Sequence, residues 1–177
     1  MYNSFIESPS IIDQLIIQHK KMRELCSKSV NTVRVFTLRN KGDIIVIGAA
    51  LRMGNGTSVV DNYSAGGLVG AVDLATGRII ADAEDANGKR YAVHPYSGVR
   101  IIGFEIPNWE QVIAFTKECA KGFTLNYAAW DIAIQDDGCA LIEVNPNGMT
   151  NVIQIAGAGG RKKQYDCLLK QIQSYKC

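Results

Sequence analysis

Three oxygen-bearing side chains lie close together in the C-terminal third of the chain. Asp131 belongs to one short alternating run, and after the polar residues 135–138 a second run carries Glu143 and Asn145. Alternation with a period of two is typical of β-strands, so the stretch predicts a hairpin. Carboxylate and amide oxygens are ligands of Mg²⁺ and Mn²⁺, which usually share their coordination shell with substrate phosphates. The pattern therefore predicts a metal site at Asp131, Glu143 and Asn145.

The register of this hairpin depends on its loop. The side chains that should face one core lie on both arms: Ile132, Ile134, Ala140, Ile142 and Val144. A two-residue loop would place Ile132 beside Glu143, whereas a three-residue loop over 136–138, with Gly138 in the left-handed conformation, places Asp131 beside Glu143. Two carboxylates roughly 5 Å apart at Cβ repel each other, so the favoured longer loop calls for a cation between them.

A solvated hairpin whose polar residues face water is the alternative. Two features that follow the hairpin favour the metal site instead. Pro146 ends the strand at Asn145, and residues 150–155 are typical of a short apolar helix with Thr150 as its N-cap. Carboxylates beside such a helix terminus suit phosphate chemistry.

Two arginines extend the predicted site. Arg34 and Arg52 fall in two strand-like stretches joined by a hairpin signal, so they are expected near each other on the face that carries the carboxylates. A guanidinium group binds phosphate oxygens well. The alternative is a pair of arginines that shield a sheet edge.

A polar loop and a histidine are further candidates for ligand contact. Asn62 begins a loop whose paired glycines, Gly66 and Gly67, allow backbone amides to approach an anion. His94 precedes Pro95 and would orient an acceptor or carry a proton. A plain turn and an exposed histidine are the alternatives.

The elements that must position these residues follow from periodicity. Residues 11–26 and 161–175 have the spacing of amphipathic helices, and Asn108 is expected to cap another helix that ends near Lys121. Residues 83–99 predict a long loop. Strand patterns precede the hairpin in four stretches: 32–38, 43–53, 67–73 and 78–82. Antiparallel strands with helices laid beside them predict an α+β fold.

Composition is that of one globular domain spanning residues 1–177. The chain is 47% hydrophobic and 20% charged, with a net charge of +2, so no nucleic-acid footprint is present. The apolar run 44–51 is too short for a membrane span and no signal peptide precedes it, which predicts a cytoplasmic protein. Five dispersed cysteines argue against a zinc site or a disulfide framework.

Seven short blocks, taken in order, resemble the ATP-grasp family and its sugar-transfer-associated branch, from about residue 12 to about residue 160. They are Gln18 and His19, residues 30–34, residues 51–54, Asp61 and Asn62 with Gly66 and Gly67, His94 and Pro95, residues 106–109, and the hairpin. The resemblance implies the metal-binding, C-terminal catalytic half of ATP-grasp: an antiparallel sheet with flanking helices.

The resemblance also implies chemistry. ATP and Mg²⁺ (or Mn²⁺) would be cofactors, with the metal held by the hairpin, while Arg34 and Arg52 steady the transferred phosphoryl group. Asp13 and Gln18 fall where the family places the adenine and ribose pocket. Relatives join a carboxylate to an amine or thiol through an acyl phosphate. The implied substrate is a small or sugar-linked molecule of a polysaccharide or cell-surface sugar pathway.

One part of the family pattern is missing. No glycine-rich loop followed by a lysine precedes Arg34, so the expected arrangement is a partial ATP-grasp fold without its N-terminal nucleotide-binding half. A separate lysine-bearing half would then be a partner, and the isolated chain would be inactive. The alternative is a truncated, non-catalytic remnant that acts as a binding module.

Overall fold

The fold is taken from a computed structural model, which describes residues 15–57, 63, 66–148, 152–154, 159–160, 162–163, 166–167 and 170. Its regular elements, in chain order, are α1 (Lys20–Leu25), β1 (Thr32–Asn40), β2 (Asp43–Met53), β3 (Leu68–Ala71), β4 (Ala83–Glu84), β5 (Arg90–Tyr91), α2 (Trp109–Lys121), β6 (Tyr127–Ile134) and β7 (Cys139–Asn145).

The seven strands among these residues form one antiparallel sheet in the order β5-β4-β3-β2-β1-β6-β7. The long strands β2, β1 and β6 lie side by side at its centre, and β7 forms one edge. Together with the two helices, the sheet confirms the predicted α+β fold.

The two faces of the sheet differ. Alternate residues of β1, such as Val33 and Val35, join the larger core, which also contains Met22 of α1 and Val112 of α2. The other face carries a smaller apolar cluster: Phe36, Ile47, Ala50, Val69, Ala129, Val152 and Ile153. Because successive side chains of a strand point to opposite faces, Arg34 lies on this second face. We call it the site face.

The β1–β2 hairpin confirms the two predicted strands, and the turn that joins them is shorter than predicted. Only Lys41 and Gly42 separate the strands, and both have positive φ, as a two-residue hairpin turn requires. The predicted strand at 78–82 is wrong, since Arg78 and Ile79 form only isolated bridges. The predicted loop 83–99 in fact contains the two-residue strands β4 and β5.

The N-terminal helix is shorter than its periodicity predicts. Residues 15–19 are not helical, and Leu15 is 82% exposed although its spacing resembles a core position. The His19 amide donates to the carbonyl of Ile134 at 2.7 Å, so this segment is held extended against β6. A tertiary backbone bond thus overrides the local helical pattern.

Helix α2 has the predicted boundaries. Asn108 is its N-cap, with φ of 53° and no side-chain capping bond, and Gly122 is its C-cap. Arg39 of β1 donates to the carbonyls of Ala120 (2.7 Å) and Phe123 (2.5 Å), which ties the end of the helix to the sheet. Within the predicted helix 161–175, the described residues 162–163, 166–167 and 170 are helical. In the part of the chain that the structure describes, no helix is long and apolar enough to cross a membrane.

Candidate functional site

A buried carboxylate stands at the centre of the site face. Asp131 is 1% exposed and accepts hydrogen bonds from two guanidinium groups. Arg34 donates from Nε to Oδ1 at 2.6 Å and from Nη2 to Oδ2 at 2.5 Å. Arg52 donates from Nη1 to Oδ2 at 2.7 Å. Sequence predicted that the arginines and the carboxylate share a face, and the structure joins all three in one charge cluster.

Strand pairing explains how these side chains meet. Arg34 on β1 lies directly opposite Asp131 on β6, so a bidentate contact needs no unusual conformation. Arg52 on β2 pairs with Thr32 and reaches across β1 to the same carboxylate. The cluster therefore spans three adjacent strands and exists only when the central sheet is formed.

Glu143 joins the site face through a β-bulge. Asp131 pairs with Glu143, as predicted, but Ile132 pairs with Leu141, so Ile142 is an extra residue on β7. The three-residue loop is wrong: residues 135–138 form a four-residue connection, and Gly138 has no positive φ. The bulge, rather than the loop length, sets the predicted pair.

The same bulge changes which side chains of β7 face the core. Cys139 and Leu141 pack against the larger core before it, and Val144 does so after it. Ile142 is 47% exposed, so its predicted core position is wrong. Ala140 pairs with Ala133 on the site face, which also corrects its predicted side. Alternation alone cannot reveal an inserted residue, because both registers bury apolar side chains.

The counter-charge for Asp131 comes from the protein itself. The predicted register places Asp131 and Glu143 opposite each other, and their repulsion was expected to need a metal ion. The guanidinium groups of Arg34 and Arg52 already balance Asp131. Repulsion between the carboxylates is therefore no argument for a metal, although their shared face still supplies oxygen ligands.

Asn145 completes the line of predicted ligands. It pairs with Ala129 and therefore lies on the site face, as predicted. Its Nδ2 atom is buried and has no hydrogen-bond partner among the described residues. Buried amide nitrogens are rarely left unpaired, and a 180° rotation of the amide would place Oδ1 at that position. In that rotated position the amide oxygen and the exposed Glu143 carboxylate would form a donor set that suits a cation.

A turn that sequence reasoning missed follows Asn145. The Gly148 amide donates to the Asn145 carbonyl at 3.2 Å, and Tyr127 Oη donates to the Gly148 carbonyl at 2.7 Å. A Cβ on Gly148 would lie 2.3 Å from that of Ala129, so only glycine lets the turn pack on β6. The Pro-Asn-Gly signature was its sequence signal. Of the predicted helix 150–155, Thr150 lies outside the described residues, and 152–154 form a turn.

Gln18 lies in a buried polar network. Its Nε2 donates to the carbonyls of Cys26 (3.0 Å) and Ser29 (2.6 Å), while its Oε1 accepts from the backbone and side chain of Asn31. Asn31 Oδ1 in turn accepts from the amide of Gly54 at 3.2 Å. This network fixes the backbone two residues after Arg52.

His94 is buried against the same backbone. Its Nδ1 accepts from the Tyr96 amide at 3.3 Å, so Nε2 carries the proton and donates to the Gly54 carbonyl at 2.8 Å. Burial lowers the pKa of His94 below its ordinary value, which keeps the ring neutral. The His94 side chain is thus buried and hydrogen-bonded to the backbone. It does not occupy the exposed loop position that was the alternative prediction.

The glycine loop lies at the end of the β2–β3 pair, where Met53 opposes Leu68. Gly66 has a φ of 89°, and its amide donates to the Tyr63 carbonyl at 3.2 Å. Gly67 is buried next to it. The described part of the loop is thus a hydrogen-bonded turn. Asp13 and Asn62 lie outside the described residues.

The cysteines do not build a metal site. Cys26, Cys119 and Cys139 form no disulfide, and burial raises the pKa of Cys119 and Cys139. Among the residues that the structure describes, no three His, Cys, Asp or Glu side chains are grouped to hold a metal ion.

Comparison with known proteins identifies a family. The family described as sugar-transfer associated ATP-grasp matches residues 4–173, which is nearly the entire chain. No curated protein and no solved structure matches the chain.

Proposed function

Because the chain belongs to the sugar-transfer associated ATP-grasp family, we propose that it binds MgATP on the site face. The observation that carries this proposal is the convergence of two largely buried guanidinium groups beside an exposed carboxylate. Arg34 and Arg52 are brought within 2.5–2.7 Å of one acceptor group on strands that also position Glu143. Such a cluster suits a polyphosphate that carries a cation.

Some of the side chains on the site face suit a magnesium ion. Glu143 and Asn145 would hold it, since one is an exposed carboxylate and the other a buried amide without a partner among the described residues. Asp131 contacts two arginines and would be a further oxygen ligand where these arginines bind phosphate instead. A magnesium ion at this place would neutralise charge between the phosphates.

The other residues of the chain orient the phosphate-binding groups. Arg34 and Arg52 would bind phosphate oxygens, and the sheet fixes their spacing. Gln18 and His94 act indirectly: Gln18 holds Asn31, which accepts from the Gly54 amide, and His94 contacts the Gly54 carbonyl, two residues after Arg52. Asp13, Asn62, Gly66 and Gly67 remain proposed contacts of the nucleotide.

The specific reaction and the substrate class are inferred from family membership alone. We infer an ATP-dependent ligase that joins a carboxylate to an amine or thiol through an acyl phosphate, in a polysaccharide or cell-surface sugar pathway. Because MgATP is a cytosolic substrate, the proposed location is the cytoplasm. A lysine-bearing ATP-grasp half is the proposed partner, since two subdomains close over the nucleotide in this superfamily.

The test is an NMR titration of MgATP into the isotopically labelled chain. Glu143→Gln removes one metal ligand and should weaken MgATP binding about tenfold or more, equivalent to about 1.4 kcal/mol. Asp137→Asn is the matched control, because Asp137 is an exposed carboxylate in the connection of the same hairpin. Equal affinities of the Glu143 variant and the wild type would remove the hairpin from the site.

The second candidate is a non-catalytic binding module. The full pairing of Asp131 by two arginines favours it, because a buried ion cluster can serve the fold alone. An assay of ADP release from MgATP, with the lysine-bearing half added, distinguishes the enzyme from the non-catalytic binding module. Turnover that is lost in Glu143→Gln supports the enzyme.

A further inference from the structure

The site face continues past the arginines towards the β5 edge of the sheet. Arg52 on β2 pairs with Val69 on β3, which in turn pairs with Glu84 on β4. Glu84 pairs with Arg90 on β5. Because directly paired residues of an antiparallel sheet point to the same face, Glu84 and Arg90 lie on the site face with Arg52. Both fall in the stretch 83–99, which the sequence predicts as a loop without a role for either residue.

The Glu84 carboxylate has few partners for a group so far withdrawn from water. Its side chain is 19% exposed, and its contact with Arg90 Nε is 3.5 Å long. Among the residues that the structure describes, no donor forms a hydrogen bond to this carboxylate. An ionised carboxylate offers about four acceptor sites, and burial without partners is costly. Glu84 is thus able to accept further hydrogen bonds from a ligand.

The next carboxylate along the chain shows the opposite pattern. Asp85 Oδ1 accepts from the amides of Asn87 (2.9 Å) and Lys89 (3.0 Å), and Oδ2 accepts from Tyr91 Oη at 3.0 Å. These bonds hold the turn between β4 and β5. Asp85 therefore serves the local fold, whereas the turn makes no use of the Glu84 carboxylate.

The position of Glu84 suits a substrate that meets the phosphates. Two strand spacings separate the backbones of Arg52 and Glu84, which is roughly 10 Å. Val69, which lies between them, is 1% exposed and belongs to the smaller apolar cluster. Charged groups therefore stand on both sides of an apolar segment, close enough for one sugar-linked molecule to reach both.

Resting on the proposed function, we propose that Glu84 forms a subsite for the cationic amino group of the acceptor substrate. The amino group takes the place of Arg90 beside the carboxylate, and the arginine side chain, which is 66% exposed, turns to solvent. A cationic donor suits this carboxylate better than a neutral hydroxyl, because charge-assisted hydrogen bonds are roughly twice as strong. The subsite thereby selects an acceptor that bears a primary amine, such as an amino sugar.

The test is an NMR titration of the isotopically labelled chain with glucosamine, and with glucose as the matched neutral probe. The two sugars differ in one group, since glucosamine carries an ammonium where glucose has a hydroxyl. Glucosamine should shift the amide signals of β4 and β5, and glucose should bind about tenfold more weakly, as expected for loss of a hydrogen bond between charged groups. Equal binding of the two sugars, or no binding of glucosamine, would overturn the proposal.

Substitutions at the ion pair should have opposite effects. Glu84→Gln keeps the shape of the side chain but removes its charge, so glucosamine binding should weaken about tenfold. Arg90→Gln removes the competing cation, so binding should tighten about twofold to fivefold, the range that an exposed ion pair contributes. A role of Glu84 in folding alone would not produce this tightening. Unchanged or weaker glucosamine binding by Arg90→Gln would contradict the displacement of Arg90.

Two further variants control for charge and for position. Glu84→Asp keeps the carboxylate and should bind glucosamine more tightly than Glu84→Gln does. Glu118→Gln removes an exposed carboxylate of α2, which packs on the core opposite the site face, and should leave glucosamine binding unchanged. Circular dichroism and thermal unfolding check that each variant is folded.

The outcomes distinguish the subsite from the proposed function. If glucosamine binding is indifferent to Glu84, the subsite is wrong, even where MgATP binding depends on Glu143. If glucosamine binding depends on Glu84 while MgATP binding is indifferent to Glu143, the subsite stands and the assignment of the hairpin to MgATP fails.

Discussion

Asp131 shows what a single residue contributes to this protein. Its carboxylate is almost fully withdrawn from solvent and accepts three hydrogen bonds from two arginines. Removal of charges from water is costly, so the cluster adds little net stability compared with apolar packing. Loss of the Asp131 carboxylate, however, removes a counter-charge that both largely buried guanidinium groups contact.

Asp131→Asn should destabilise the fold strongly. The amide keeps a similar shape but removes the carboxylate charge that both largely buried guanidinium groups contact, so we expect a loss of about 3–5 kcal/mol in the free energy of unfolding. Urea unfolding followed by circular dichroism measures it. Asp137→Asn, in the exposed connection of the hairpin, should stay within about 0.5 kcal/mol. A loss below about 1 kcal/mol for Asp131→Asn would show that the cluster is not energetically coupled.

The β6–β7 hairpin is the element that builds the site. Its bulge adds Ile142 between Leu141, which faces the core, and Glu143, which faces the site. Without this extra residue the two would still lie on opposite faces, as neighbours in a strand do. A bulge also bends and twists an edge strand, which makes β7 a poor template for another chain.

Deletion of Ile142 should therefore be tolerated. Leu141 would remain opposite Ile132 and Glu143 opposite Asp131, so the free energy of unfolding should change by no more than about 1 kcal/mol. Deletion of Val144 is the comparison, because it removes a side chain packed on the core and shifts Asn145 to the other face. Equal losses of stability in both deletions would contradict the bulged register of β7.

At the scale of the whole molecule, the five described residues proposed to bind metal or phosphate lie on one face of one sheet: Arg34, Arg52, Asp131, Glu143 and Asn145. Four neighbouring strands, β2, β1, β6 and β7, carry the cluster and its proposed ligands. In the proposed function, this site face forms one wall of a nucleotide cleft. An acyl phosphate survives only where water is excluded, and exclusion requires a second wall that closes over the nucleotide.

On the proposal that the lysine-bearing half supplies this second wall, the 177-residue chain tested by itself is expected to bind MgATP weakly. We predict a dissociation constant on the order of 1 mM or weaker, equivalent to about 4 kcal/mol, and no ligase turnover. The lysine-bearing half, added separately or by fusion, should tighten binding in a manner that depends on Glu143. Calorimetric titration and an ADP-release assay measure these effects. Tight binding or steady ADP release by the chain alone would contradict the single-wall argument.

Short-range patterns determined the central strands, the boundaries of α2 and the shared face of Asp131, Glu143 and Asn145. Such features follow from periodicity and from capping residues, which act within a few positions along the chain. The same reasoning placed Arg34 and Arg52 together, since one hairpin joins their strands.

Tertiary structure alone decided what these residues contact. The bulge at Ile142 and the extended segment before α1 depend on pairing with β6, and the ion cluster depends on pairing of the β1–β2 hairpin with β6, which is distant in sequence. A local pattern records which face a side chain occupies. The pattern does not predict which charged group lies on the neighbouring strand. Strand pairing is determined by long-range packing, in which apolar burial outweighs the small local preferences.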